Sequence, residues 1–297
     1  MLDIEYIRNN IDEVKTNCVH RNIKVDIDRI IHLDEERRAH ISDVDSLRAQ
    51  RNAGSKGKPS DEDIERLRSL GDTITGKEHE LIGIEEEYRR LMLQVPNRTH
   101  SQSPIGGEDK FTVLEEGGSI PTFSFPPRDH EDLLVSQGLL DFERATKVAG
   151  SKFYFVQGDL VRLNQALLSY AMDVVAPHAY VLMETPDLAR DEILLGIGFN
   201  PRGPETQVYS IEQSDLSLIG TAEITMGGYH ANEILDLSAG PKKYLALSHC
   251  FRTEAGAYGR ESKGLYRVHQ FTKLEMFAFC TPEQSEAYRR LWDGLPQ

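Results

Sequence analysis

The stretch His249-Cys250-Phe251-Arg252-Thr253-Glu254 continues, beyond a loop over residues 255–264, as Val268-His269-Gln270-Phe271-Thr272-Lys273-Leu274-Glu275. Its reading decides the fold. It predicts two β-strands joined by a long loop that carries Gly256, Gly259 and Gly264. Side chains at i and i+2 of a strand share a face. Arg252 and Glu254 are therefore expected to project together from the first strand, and Phe271, Lys273 and Glu275 from the second. Such a face offers a planar arginine fork for phosphate, an aromatic plate, and two carboxylates for amines or hydroxyls. It suits a nucleoside triphosphate beside an amino acid. An Arg-x-Glu alone is common on surface strands. Its combination with Phe-x-Lys-x-Glu, across a loop that also holds Arg260 and Lys263, is not.

Composition narrows the surroundings. The 297 residues carry 34 Lys and Arg against 48 Asp and Glu, a net charge of −14. This argues against non-specific coating of nucleic acid, which needs clustered cations, and leaves room for a local basic patch. Cys18, Cys250 and Cys280 are scattered, with neither metal-ligand spacing nor an even disulfide framework. The acidic start Met1-Leu2-Asp3-Ile4-Glu5 has no apolar signal core. Together these predict a reducing, cytoplasmic setting. No apolar run approaches the ~18 residues that suggest a membrane span.

Residues from about Asp26 to Val95 read as two helices. In the second, Leu67, Ile74, Leu81, Tyr88 and Val95 recur every seven residues; Leu70, Ile84 and Leu91 fill the positions three residues on, and Lys77 breaks that second row. This is a heptad seam that requires a partner helix. The first helix supplies Ile27, Ile30, Ile41, Val44 and Leu47. Turn formers over residues 52–60 separate the two, and Ser60 with Asp63 forms an N-cap pattern. The expectation is an antiparallel coiled-coil hairpin, a rod of ~45 Å for about 30 residues per helix at 1.5 Å each. Many such hairpins are spacers or dimerisation rods. This one has a cationic tip: Arg48, Arg51, Lys56 and Lys58, with no acidic residue between Arg48 and Ser60. A cationic rod end is suited to a phosphate backbone. Domain limits follow as an arm over 1–98, a linker over 99–107 that contains Pro104, Gly106 and Gly107, and a second domain over 108–297. In that domain a helix is expected near Leu133–Gln137, another over 160–175, and a short strand over 180–184 stopped by Pro186.

The two-strand motif resembles motif 2 of class II aminoacyl-tRNA synthetases. Asp215-Leu216-Ser217-Leu218-Ile219-Gly220-Thr221-Ala222-Glu223 is similar to the Thr-Ala-Glu loop of the seryl-tRNA synthetases, and Gly138–Ala145 with Gly150–Phe155 looks like the opening of their catalytic domain. The resemblance runs over nearly the whole chain. One departure is Gly220, where family members often carry proline. The implied fold class is α+β: an N-terminal antiparallel coiled-coil helical hairpin followed by a class II antiparallel-sheet catalytic domain. The implied activity is ATP-dependent activation of L-serine to seryl-adenylate, then transfer to the 3′ end of serine tRNA.

Adenylate formation needs two anions aligned and charge on phosphorus stabilised, with no side-chain nucleophile. Arg252 is the candidate clamp on the α-phosphate and Glu254 the acceptor for the adenine amine; these are the two catalytic candidates. Phe271 is expected to stack on adenine, with Val268 and Thr253 lining the ATP pocket. Arg260 and Lys263 would approach the distal phosphates or the tRNA 3′ end. Serine binding falls to Thr221, Ala222, Glu223 and Glu275. Glu223 takes the ammonium and Glu275 accepts from the hydroxyl, although Thr221 to Glu223 also fits a plain helix N-cap. His249 and His269 flank the strands and are read as packing or hydrogen-bonding residues. The resemblance further implies that the arm grips serine tRNA through Arg48, Arg51, Lys56 and Lys58, by RNA shape. It also makes residues 160–186 a motif 1-like homodimer interface.

The family's catalytic domain continues past the point equivalent to Gln297. There it supplies an acidic metal-binding strand and a glycine-rich strand–helix whose arginine clamps the ATP tail. Nothing in residues 1–297 matches either. The expectation is a catalytic domain incomplete at its C-terminus, with no metal ligands of its own and with the ligands for Mg²⁺ in the absent part. The competing expectation is a truncated non-catalytic paralogue that binds tRNA through the arm.

Overall fold

The computed structural model describes residues 2–55, 60–107, 109–199, 207–254 and 263–285. Lys56, Lys58 and Arg260, named above, lie outside them. The chain divides into two compact units, Met1–Gly118 and Ser119–Gln297.

In the first unit, α1 (Ile4–Asn9) and α2 (Ile11–His20) precede the hairpin of α3 (Ile27–Gly54) and α4 (Asp61–Met92). Each long helix starts where its cap dictates. Asp26 accepts from the Arg29 N–H at 2.9 Å. Ser60 and Asp63 form the reciprocal pair of a capping box, satisfying two otherwise orphaned N–H groups. The heptad seam is the buried face: Ile27, Ile30, Leu33 and Val44 from α3, Ile74 and Leu91 from α4. Lys77, the break in the apolar row, reaches across to Asp43 at 2.7 Å. Arg48 to Glu78 (2.7 Å) and Arg29 to Glu87 (2.6 Å) repeat the device along the rod. The principal core lies where α1 and α2 meet the base of the hairpin, around Ile7, Val14, Cys18, Ile30, Leu33 and Met92. These two short helices were not anticipated, since neither is long enough for a decisive period.

Asp34 was not anticipated either. It stands in the seam, seven residues after Ile27, and is 0% exposed. Arg8 (3.0 Å), Arg38 (3.1 Å) and Arg37 (3.5 Å) surround its carboxylate. A buried carboxylate persists only when its desolvation is offset by such partners.

In the second unit, α5 (His130–Ser136), β1 (Leu140–Asp141), α6 (Phe142–Ala149) and β2 (Phe155–Val156) lead into α7 (Asp159–Val175). Then come β3 (Val181–Glu184), β4 (Leu188–Arg190), α8 (Asp191–Ile197), β5 (Leu216–Leu218), α9 (Ala222–Tyr229), β6 (Lys242–Phe251) and β7 (Gln270–Phe279). β6 and β7 pair antiparallel over ten positions, from Lys242↔Phe279 to Phe251↔Gln270. β3 joins the other edge of β6 in parallel. The antiparallel expectation thus describes β6–β7, and the three-stranded sheet is mixed at β3. α9 lies on this sheet through Ala222, Met226 and Ala246. α8 in turn presses on α9: a Cβ added at Gly227 would fall 2.1 Å from Ile197 Cδ1, and one at Gly228 2.6 Å from Ile193 Cγ2. Glycine at both positions allows that approach without displacing the isoleucine side chains.

Asp34→Ala should cost about 3 kcal/mol of stability, the low end for breaking a buried pair because the arginines reach solvent. Urea unfolding followed by helical circular dichroism checks this. A loss under about 0.5 kcal/mol, the scale of an exposed pair, would show the cluster to be effectively solvated.

Candidate active site

The site grows from the register of β6 and β7. Paired residues of an antiparallel ladder share a face. Cys250↔Phe271, Ser248↔Lys273 and Ala246↔Glu275 therefore form one surface, with small side chains on β6 and the functional ones on β7. Ala246, Ser248 and Cys250 are all buried beneath it. Burial pushes the Cys250 thiol above its usual range, against the lowering influence of its Ser248 contact and of Lys273 and Arg252, so it stays a neutral part of the floor.

The Thr221 segment reaches this surface because the chain after β5 is tied to both neighbours. The Ile219 N–H donates to the Asp187 carbonyl at 2.9 Å, and the Phe251 N–H donates to the Ile219 carbonyl at 2.8 Å. Thr221, 2% exposed, caps α9 by accepting from the Glu223 N–H at 3.2 Å. Its hydroxyl also donates to Glu275 Oε2 at 3.0 Å and accepts from Lys273 Nζ at 3.0 Å. The plain N-cap reading and the convergence on Glu275 therefore hold together. Lys273 and Glu275 are ion-paired. Ala222 is buried under the cap, and Glu223 is exposed on the first turn of α9.

Arg252 stands one residue past the end of β6. Its Nε donates to the Gly220 carbonyl at 3.2 Å, and its guanidinium lies 5.0 Å from the centroid of Phe271. Arg252 and Phe271 are thus together, as the alternation argument expects. Glu254 does not continue the strand: β6 ends at Phe251, so neither Arg252 nor Glu254 is on it. Glu254 adopts φ +50°, and its carboxylate, 11% exposed, takes Arg267 at 3.2 Å. The strand ends because Thr253 leaves the ladder, its N–H donating to the Gln207 carbonyl at 3.0 Å. Val268 is buried just before β7. Lys263 pairs with Asp129 and Asp132 at the start of α5. His249 faces Asp187, its Nδ1 at 3.0 Å.

Sequence reasoning passed over two groups here. Lys273 was visible in the alternation, between Phe271 and Glu275, and received no role; it joins Thr221 to Glu275. The Gly220 carbonyl carried no sequence signal, because any residue supplies it. Of the arm cations, Arg48 is engaged by Glu78 and Asp45, and Arg51 is exposed in the last turn of α3. Among the described residues no group of three or more His, Cys, Asp or Glu side chains is placed to hold a metal ion, and no helix is long and apolar enough to cross a membrane.

Comparison with known proteins adds to this geometry. The family described as seryl-tRNA synthetase N-terminal domain matches residues 1–99. The tRNA synthetase class II core domain (G, H, P, S and T) matches residues 207–293. A serine--tRNA ligase of Rubrobacter xylanophilus is 48% identical over 293 residues, covering 96% of this chain and 69% of the relative. One of Dictyoglomus turgidum is 47% identical, covering 100% of this chain and 72% of the relative. Among solved structures, seryl-tRNA synthetase from Pyrococcus horikoshii complexed with ATP superposes with a TM-score of 0.84 at 31% identity, over 99% of this chain and 72% of that one. The cytoplasmic enzyme of Naegleria fowleri in complex with AMP gives 0.75 at 29% identity, over 99% and 70%.

Gly220→Ala should be tolerated. The residue is outside the left-handed region, and an added Cβ would meet its nearest neighbours, the Phe251 carbonyl oxygen and Arg252 Cγ, at 3.5 and 3.6 Å, which is ordinary contact. The substitution should stabilise the protein by about 0.4–1 kcal/mol through the unfolded chain, read as a rise in Tm. A fall in Tm would mean that the segment carrying Gly220 needs more room than its contacts indicate.

Proposed function

The chain belongs to the seryl-tRNA synthetase family, and we propose that it activates L-serine with ATP and passes the seryl group to the 3′ end of serine tRNA. The observation that carries this reading is the single surface on which Thr221, Lys273 and Glu275 meet beside Arg252 and Phe271. In activation, a serine carboxylate oxygen attacks the α-phosphorus, the bond to the β-phosphate breaks, and pyrophosphate leaves. Arg252 clamps the α-phosphate. The bond from its Nε to the Gly220 carbonyl fixes the plane of the guanidinium, and a fixed planar fork matches two phosphate oxygens. Phe271 offers its ring to adenine, with Val268 and Thr253 at the pocket wall. Glu254 accepts from the adenine amine, with Arg267 as its counter-ion.

Thr221 and Glu275 read the serine side chain, with Ala222 beneath them, and Glu223 takes the ammonium. Serine is favoured over alanine by the hydrogen bond its hydroxyl adds at Glu275, which alanine cannot make. The Mg²⁺ implied by the resemblance finds no group of three or more His, Cys, Asp or Glu ligands among the described residues.

Residues 1–98 serve as the tRNA arm, with Arg48, Arg51, Lys56 and Lys58 near its tip, 99–107 as linker and 108–297 as the catalytic portion. We also read the protein as a homodimer through residues 160–186. Leu163, Leu167 and Tyr170 are 54, 58 and 67% exposed in one stripe of α7, and Val181 and Leu182 of β3 are exposed as well. A stripe of this kind is what two-fold pairing covers. Cys18, Cys250 and Cys280 are all free thiols, in keeping with a cytoplasmic protein.

Arg252→Ala in the full reading frame should cut serine-dependent pyrophosphate exchange by about 3 kcal/mol of transition-state stabilisation, roughly a hundredfold. Near-normal exchange would remove Arg252 from the clamp. Deleting residues 28–93 should separate the two half-reactions: exchange persists, and tRNA charging collapses. Charging at the intact rate would reduce the arm to a spacer.

A further inference from the structure

Arg252 has a placement problem that the ladder does not solve. The last β6–β7 pair is Phe251↔Gln270, and two residues beyond Arg252 the backbone turns through φ +50° at Glu254. A residue at the frayed end of a strand would ordinarily scatter. Arg252 is instead held at both backbone groups by one partner. Its N–H donates to the His269 carbonyl at 2.9 Å. Its own carbonyl lies 2.8 Å from His269 Nδ1. A carbonyl oxygen only accepts, so this contact is a hydrogen bond in the tautomer, or the imidazolium, that carries the proton on Nδ1.

His269 is itself immobilised. Its N–H donates to the Lys152 carbonyl at 3.1 Å. With the proton on Nδ1, Tyr209 Oη at 3.0 Å is a second acceptor for the same N–H, and the Phe153 ring packs 5.1 Å from the imidazole centroid. The His269 side chain therefore extends the sheet by one bond that the backbone alone does not supply.

We propose that His269 is a positioning residue for adenylate formation: its Nδ1–H, donated to the Arg252 carbonyl, fixes the direction in which Arg252 leaves the backbone and so aims the guanidinium at the α-phosphate. Three attachments then define Arg252: the reciprocal backbone bonds to His269, the Gly220 carbonyl at Nε, and the Phe271 ring. The first sets where the side chain begins, and the other two set where it ends. No proton moves in this role.

The inference rests on the reading of Arg252 as the phosphate clamp, and the experiment keeps the two apart. Serine-dependent pyrophosphate exchange is measured on the full reading frame for H269A, H269N, H269Q, R252A and the double variant R252A/H269A, with thermal melting alongside. Asparagine can present its amide N–H near the position of Nδ1, whereas glutamine carries it out toward Nε2. H269A should lower kcat about 10- to 100-fold, as a misplacement near 1 Å does, with the serine KM within about threefold. H269N should recover most of that loss and H269Q should not. The double variant should be no slower than R252A alone, because residues acting as a unit are non-additive. If H269N and H269Q are equally impaired, with losses that follow their melting temperatures, His269 is packing and the inference falls. It falls too if H269A exchanges normally while R252A does not. If R252A exchanges normally, the clamp reading fails first and takes this one with it.

Discussion

Ten consecutive residue pairs between β6 and β7 set Phe271, Lys273 and Glu275 on one face, and the remaining side chains of the site are tied to that face. The ladder runs from Lys242↔Phe279 to Phe251↔Gln270. Because the side-chain period is two, a slip of one residue would turn Phe271, Lys273 and Glu275 to the opposite face and bring Thr272 and Leu274 forward. The register is defended by the contrast between faces. Ala246, Ser248 and Cys250 are small enough to let α9 settle through Ala222 and Met226, and larger side chains there would lift α9 and Thr221 with it. The same contact that buries the core thus delivers Thr221 to Glu275.

The arm obeys a different constraint. Its helices lie on each other through a narrow apolar seam, supplemented by cross-helix ion pairs such as Lys77–Asp43. Exposed pairs of this kind contribute little individually. The rod depends on its base, where α1 and α2 complete a core around Ile7, Ile30 and Leu33 and where Asp34 gathers three arginines. A hairpin standing on a rigid foot can carry cations at its far end without a core of its own there.

What the sequence made legible follows the same physics. The hairpin was readable because heptads and caps are local signals: the Ser60–Asp63 box and the burial of Ile74 and Leu91 needed no knowledge of the rest of the chain. The face of β7 was readable because alternation is local too. Glu254 was misplaced on the strand because the end of β6 is decided by Gln207, some 45 residues earlier, which takes the Thr253 N–H that alternation would assign to the ladder. Asp34 was missed because its partners come from two helices and only one of those was anticipated. Lys273 was in view but unassigned, since alternation gives a face and says nothing of which neighbour a cation will choose.

On the proposed reading of Thr221 and Glu275 as the serine-binding pair, Lys273 bears on how the site would discriminate. Its ammonium bonds the Thr221 hydroxyl and pairs with Glu275, whose Oε2 also accepts from Thr221. A serine hydroxyl directed at Glu275 therefore joins existing partners rather than filling an unpaired acceptor. Selectivity for serine over alanine becomes a difference between two ways of satisfying one carboxylate: Lys273 and Thr221 alone, or these with the substrate hydroxyl added. The gain from that added bond is the modest net value of a charge-assisted hydrogen bond, about 1.5–3 kcal/mol, and not the much larger cost of burying a bare carboxylate. On that proposed reading the site would admit serine because Glu275 has lone pairs to share, and its tolerance for alanine would be set by how completely Lys273 and Thr221 satisfy Glu275 without the substrate hydroxyl.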